Sequence, residues 1–155
     1  MSHAAESELK RADHLIHISL KYTRTTDVLL SILSRFVTAI EAEMKDSLDV
    51  AVEKNHIKEL EKSPKLRTAQ IKKVFKNSKE INELIDFYYL LRKILKADYI
   101  RKEEFRKNVT LYALDDQGTE FTKVTTDTVR EYYKKTEELI KYMEENIQNI
   151  RKRKK

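Results

Sequence analysis

Cysteine is absent from the 155 residues, tryptophan is absent too, and glycine and proline occur once each. Without cysteine there is no disulfide, no thiol nucleophile and no thiolate metal ligand, a composition that fits a cytoplasmic protein. One glycine cannot build a Gly-rich phosphate loop. So little Gly and Pro also leaves few tight turns, and long helices with short connections are expected. No apolar run reaches the ~18 residues of a membrane span, and the opening MSHAAESELK has no apolar signal core; neither a span nor a secretory leader is expected.

What the chain has in quantity is charge. Charged residues make up 37% of it, mostly Lys and Glu. That balance is typical of hyperthermophile proteins, where surface ion-pair networks gain weight as temperature rises, and a thermophilic origin is expected. The net charge of +6 is unevenly placed. Residues 54–79 hold nine Lys or Arg against two Glu, and the tail Arg151 to Lys155 is wholly basic, while residues 25–53 carry two basic and six acidic side chains. Basicity is local rather than general.

Apolar residues recur at three- and four-residue intervals through most of the chain, as on one face of a helix. Residues 4–22 read as a first helix with Leu9, Ala12, Ile16 and Leu20 inward, followed by a turn in which Thr25 and Thr26 are candidate caps. A second helix runs to about Lys54, with Leu29, Ile32, Leu33, Phe36, Ile40, Met44, Leu48 and Ala51 on its stripe. At ~42 Å it is the longest element. Residues 55–62 are a connecting turn or a frayed continuation. Ser63-Pro64 then opens a short helix, Ser as cap and Pro at the first helical position. It ends near Lys76, with Leu66, Ile71, Val74 and Phe75 on one side. The most apolar long stretch, Asn77 to Ala97, has the broadest face and is expected to be the helix around which the others pack, capped by Asn77 with Glu80.

Residues 99–108, YIRKEEFRKN, read as a short helix or as the end of the one before. The runs VTLYAL and TEFTKV flank Asp115-Asp116-Gln117-Gly118, a hairpin signal; an isolated hairpin is marginal in water, so it leans on the bundle or on a second copy of the chain. A last helix starts near Thr126, with Thr128 and Glu131 as a capping box and Val129, Tyr132, Thr136, Leu139, Met143, Asn146 and Ile150 on its stripe. The expected fold class is all-α, an up-and-down bundle of four to five helices with a small β-hairpin before the C-terminal helix, in one domain over residues 1–155 with a basic tail at 151–155. The long stripes and the unsupported hairpin both point to a homodimer.

Three groups of residues invite chemistry. Asp13, His14 and His17 stand three and four apart on the first helix, so a carboxylate and an imidazole share a face, but a full metal-ligand set is missing and a polar helix face is expected. Asp115, Asp116 and Glu120 lack calcium-loop spacing and read as a solvated turn. Lys65, Lys72, Lys76 and Lys79 fall on the side of the short helix opposite its apolar residues, where they could lie against phosphates, with the RKRKK tail as a second contact. No cofactor is expected.

The segment DFYYLLRKILKADYIRKEEFRKNVTLYAL, a long apolar helix followed by an Arg-rich stretch in a small archaeal-looking helical protein, resembles the HEPN superfamily. The resemblance implies a helical bundle, commonly dimeric, of a kind that includes metal-independent ribonucleases in toxin–antitoxin and defence systems. Their signature is an Arg followed after four to six residues by a His. Here no His follows His56; Arg101 and Asn108 have the spacing, with Arg106 between them and Asn where His is required. An amide does not titrate usefully and cannot act as acid or base. Arg11 and His17 have similar spacing but point about 240° apart on a helix. The resemblance therefore implies a non-catalytic member that binds RNA or a nucleotidyltransferase-like antitoxin partner. A divergent ribonuclease using Arg101 or Arg106 without His, and a structural dimeric scaffold, are the alternatives.

Overall fold

The computed structural model describes residues 2–152. Residues 153–155 of the basic tail lie outside them. The chain enters a helix α1 (His3–His14), capped by the Ser2 hydroxyl, which accepts from Ala5 N–H. It continues through a π-helical segment (Leu15–Ser19) into one further α-turn (Leu20–Tyr22). Helix α2 (Thr26–Glu53) follows, capped by Thr25, whose hydroxyl accepts from Val28 N–H at 3.3 Å. Helix α3 (Pro64–Val74) starts at Ser63-Pro64 as its sequence foretells. Helix α4 (Lys79–Lys96) leads to a three-stranded sheet, β1 (Asp98–Lys102), β2 (Thr110–Leu114) and β3 (Glu120–Val124), and the chain ends in helix α5 (Thr126–Lys152).

Five helices agree with the four to five expected, but the β part is not a hairpin. It is an antiparallel meander in the order β1-β2-β3. The first strand comes from the segment expected to be helical: Tyr99 pairs with Ala113, Ile100 with Tyr112 and Arg101 with Leu111. Its Lys, Arg and Glu residues are good helix formers, yet Ala97 turns extended (φ −75°, ψ 151°) and ends the helix. The strand supplies what a lone hairpin lacks, a third partner that makes a small sheet tenable in water. Leu111, Ala113 and Val124 are fully buried against the helices, so the sheet is supported within one chain. Asp115 closes the β2–β3 turn. Its Oδ1 accepts from Gln117 and Thr119 N–H, both at 2.9 Å, and Gly118 takes the left-handed conformation (φ 77°). The acidic residues there build a turn.

The hub is α2 rather than α4. Helix α2 touches α1, α3, α4, α5 and strand β2, and every residue of its expected stripe from Leu29 to Ala51 is buried. Helix α4 also buries its broad face, including Ile81, Leu84, Tyr88 and Leu91, but against fewer neighbours. Two caps differ as well. Ser78, not Asn77, caps α4, accepting from Ile81 N–H; Asn77 sits in the left-handed region (φ 55°), which Asn tolerates better than most residues. At α5 the reciprocal pair is Thr125 with Thr128: each hydroxyl accepts from the other's N–H at 3.1 Å. Leu66, expected inside, is half exposed. On the stripe of α5, Val129, Thr136, Leu139, Met143 and Ile150 are buried within the chain, while Tyr132 and Asn146 are half-buried.

Wrapping α2 so completely sinks a carboxyl. Glu43 is fully buried; its Oε1 accepts from Ser2 N–H at 2.9 Å, and the side chain faces Glu144 on α5. Burial pushes the Glu43 carboxyl up to about 7, and the neighbouring Glu144 adds to the rise. Burial would raise Glu144 too, but the Gln148 amide, which donates to its Oε1 at 2.7 Å, and the neighbouring Glu43 carboxyl hold it below the ordinary value. Glu43 is thus the member of the pair that keeps its proton, and Glu144 the one that carries the charge.

Two consequences are measurable. Leu91→Ala should lower stability by ~2–5 kcal/mol in urea unfolding, because Leu91 is fully buried; a loss below ~0.5 kcal/mol would place it on the wrong face. A carboxyl whose folded pKa is raised contributes stability that is complete below the unfolded value, near 4.5, and is lost as pH rises toward 7. Glu43→Gln mimics the protonated form and keeps the acceptor for Ser2 N–H. It should therefore stabilise the protein by ~1–3 kcal/mol at about pH 8 while changing little at about pH 4.

Candidate functional site

A cleft of about 570 Å³ opens at the end of the bundle where three distant segments meet. The π-segment and last turn of the first helix contribute Ile16, His17, Leu20 and Lys21, and the link to α2 contributes Arg24. The β1–β2 loop brings Lys107 and Asn108, and the start of α5 brings Thr125, Thr126, Asp127 and Arg130. Ile16 and Leu20 are buried and form an apolar floor. The π-segment widens the helix there, a local irregularity of a kind that clusters at functional positions. Four full cations and one carboxylate line the walls. Arg130 is paired with that carboxylate, Asp127, at 3.6 Å. Lys21, Arg24 and Lys107 have no ion-pair partner among the described residues; Lys21 only rests 5.8 Å from the Tyr22 ring. The first turn of α5 adds the partial positive charge of its unsatisfied N–H groups.

The loop carrying Lys107 and Asn108 is held in an unusual shape. Glu103 (φ 57°) and Phe105 (φ 65°) both occupy the left-handed region, which costs of order 1–3 kcal/mol per residue. Two anchors hold it there. Glu104 accepts from Thr26 N–H at 3.2 Å and from the Thr26 hydroxyl at 2.7 Å, so its carboxylate sits on the positive N-terminus of α2. Phe105 N–H donates to the Arg24 carbonyl at 2.6 Å. Pinned on both sides, the loop turns the Phe105 ring outward, 77% exposed.

The residues singled out in the sequence are not gathered into one site. Asn108 lines the cleft, but Arg101 is drawn to Asp27 (3.5 Å) and Glu104 (3.6 Å), and Arg106 to Glu103 (3.7 Å). On the first helix, His17 lines the cleft and its Nδ1 lies 3.0 Å from the Asp13 carboxylate, while His14 borders a separate shallow hollow with Arg35. No group of three His, Asp or Glu among the described residues is arranged to hold a metal ion. Lys65, Lys72, Lys76 and Lys79 are all exposed. Lys65 and Lys72 share a face of α3, whereas Lys76 falls in the following turn (φ 55°) and Lys79 opens α4. No helix among the described residues is long and apolar enough to cross a membrane.

The cations that matter most here, Lys21 with Arg24, Lys107 and Arg130, are not legible as one group because they come from three segments far apart in the sequence. The usable signal was an exposed aromatic next to basic residues, in KYTR and again in FRK. The clamp is testable by itself. Glu104→Ala should cost ~1–2 kcal/mol in urea unfolding, the range for losing a helix-terminal acceptor, and Glu104→Gln should recover part of it; equal losses for the two would mean that the hydrogen bonds to Thr26 contribute nothing.

Comparison of the chain with protein-family models, with curated proteins and with solved structures finds no match, so the functional reading rests on the geometry of this cleft.

Proposed function

We propose that the protein is a non-catalytic nucleic-acid-binding module whose cleft holds the phosphates of RNA. The observation that carries this is the convergence of Lys21, Arg24 and Lys107 on one concavity without carboxylate partners, in a chain where many arginines are paired. Cations left together without counter-charges repel one another and favour a polyanion, which each phosphate contact neutralises with release of counterions. The hydroxyls of Thr125 and Thr126 and the Asn108 amide add neutral hydrogen-bonding groups of the sort that fix a phosphate backbone in register. The HEPN-like likeness and its RNA-binding role remain part of this proposal, with Arg101 and Arg106 engaged by carboxylates rather than by substrate.

One observation favours a second reading. The imidazole of His17 lines the same cleft, and Asp13 faces its Nδ1 as an orienting carboxylate would. A His so placed could take the 2′-hydroxyl proton of a bound ribose, which would make the protein a metal-independent ribonuclease.

Both are settled by one set of measurements. Fluorescence anisotropy with labelled single-stranded RNA should show log affinity falling with log salt at a slope near −2, about −0.7 for each of the three unpaired cations. The double change Arg24→Gln with Lys107→Gln should flatten the slope by ~1.4, while Lys65→Gln with Lys72→Gln should leave it alone. A slope altered only by the second pair would move the interface to the face of α3. RNA incubated with the protein and a chelator should stay intact; cleavage lost on His17→Ala would replace the binding module by the nuclease.

A further inference from the structure

A second feature adjoins the cleft and is not explained by phosphate binding. Phe105 is 77% exposed, as is Tyr22. Phe105 has no contact with another ring or with a cation among the described residues, whereas Phe36 and Phe87 each pack against a tyrosine of α5. Folding gains nothing from a bare phenyl ring in water, and the left-handed backbone beneath it is unfavourable for so bulky a residue. Its position, however, is tightly specified. The bond from Phe105 N–H to the Arg24 carbonyl ties it to one cleft cation, and Lys107 follows two residues later. Tyr22 stands two residues before Arg24 on the other strand of this contact.

We infer that Phe105, with Tyr22, forms a stacking face for unpaired bases at the rim of the cleft, so that the protein selects single-stranded over duplex nucleic acid. This rests on the phosphate-binding role proposed for the cleft and adds the base-binding half of the site. Cations lining a groove track a sugar–phosphate backbone, while an exposed ring beside them meets the π-face of a base; single-strand binders combine these two elements. A duplex keeps its base faces inside the helix and offers the ring nothing. The pairing of charge and exposed aromatic would also suit an anionic lipid surface; the cleft's neutral hydrogen-bonding groups, the hydroxyls of Thr125 and Thr126 and the Asn108 amide, favour a sugar–phosphate backbone.

The absence of tryptophan makes the test direct, because Phe105→Trp places a lone indole at the rim. Its fluorescence should be quenched on saturation with a single-stranded 12-nucleotide RNA and unchanged by an RNA duplex or inorganic polyphosphate. In anisotropy, Phe105→Ala should weaken single-strand binding roughly 5- to 150-fold, the range for one base–aromatic stack, with duplex binding and the salt slope unaltered. Tyr22→Ala, in a regular helical turn, serves as a second variant whose folding is not in question. An unquenched indole, or single-strand affinity unchanged by both alanine variants while the Arg24 and Lys107 changes still weaken it, would overturn stacking and leave the phosphate site standing. Absence of RNA binding by the unaltered protein in low salt would sink both. Binding to phosphatidylserine-containing vesicles with a blue shift of the indole, and none to RNA, would assign the rim to a membrane instead.

Discussion

Burial around α2 is the constraint on which the rest of the molecule depends. A fully buried Leu or Ile contributes ~1.5–3 kcal/mol, and α2 carries Leu29, Ile32, Leu33, Ile40 and Leu48 with no exposure at all. That requires neighbours on several sides, which α1, α3, α4, α5 and β2 supply. The same requirement sinks polar positions that a half-exposed helix would leave in water. Glu43 and Ser47 are fully buried there, and Glu43 becomes tolerable only because Ser2 donates to it and it retains a proton. The raised carboxyl is thus a consequence of the packing.

Helix existence was legible wherever apolar residues kept a period near 3.6, as along Leu29 to Ala51 and Val129 to Ile150. Centrality was not. Asn77 to Ala97 draws the eye by its crowded apolar face, but α2 is just as rich in apolar residues over a greater length; what makes a helix central is how many neighbours reach it, which no single segment records. The strand at Asp98–Lys102 was illegible for a related reason. Tyr99 and Ile100 suit a strand, but Arg101, Lys102 and the Lys and Glu that follow favour helix, and the pairing with β2 a dozen residues later decides the outcome. The cap of α4 lies one residue later than Asn77 because Asn77 is used as a left-handed link, and at α5 Thr128 pairs back to Thr125 instead of forward to Glu131.

The cleft illustrates a different limit. Charge counted along the sequence points to residues 54–79, where nine basic side chains are concentrated. Charge available to a ligand depends on something else, namely whether a cation has already met a carboxylate and whether it faces a concavity. Lys21, Lys107 and Arg130 are more than 20 residues apart in every pairing, so their convergence follows only from the sheet folding back between α4 and α5. The exposed Tyr22 and Phe105 were visible as residues but not as a surface, because the loop that presents Phe105 had been read as helix.

What leaves the cleft cationic is the way its nearby carboxylates are spent. Asp27, Glu103 and Glu104 all lie close in sequence or space to Arg24 and Lys107, and any of them could have neutralised the groove. Glu104 is instead committed to the N-terminus of α2, where the Thr26 N–H and hydroxyl hold it, and it shares Arg101 with Asp27. Glu103 is turned to Arg106 by its left-handed backbone. The start of the hub helix therefore does two things at once: it captures the loop that carries Phe105 and Lys107, and it removes from the groove the negative charge that would have filled it. Packing around α2, loop strain and the open cations beside it are linked through that single carboxylate.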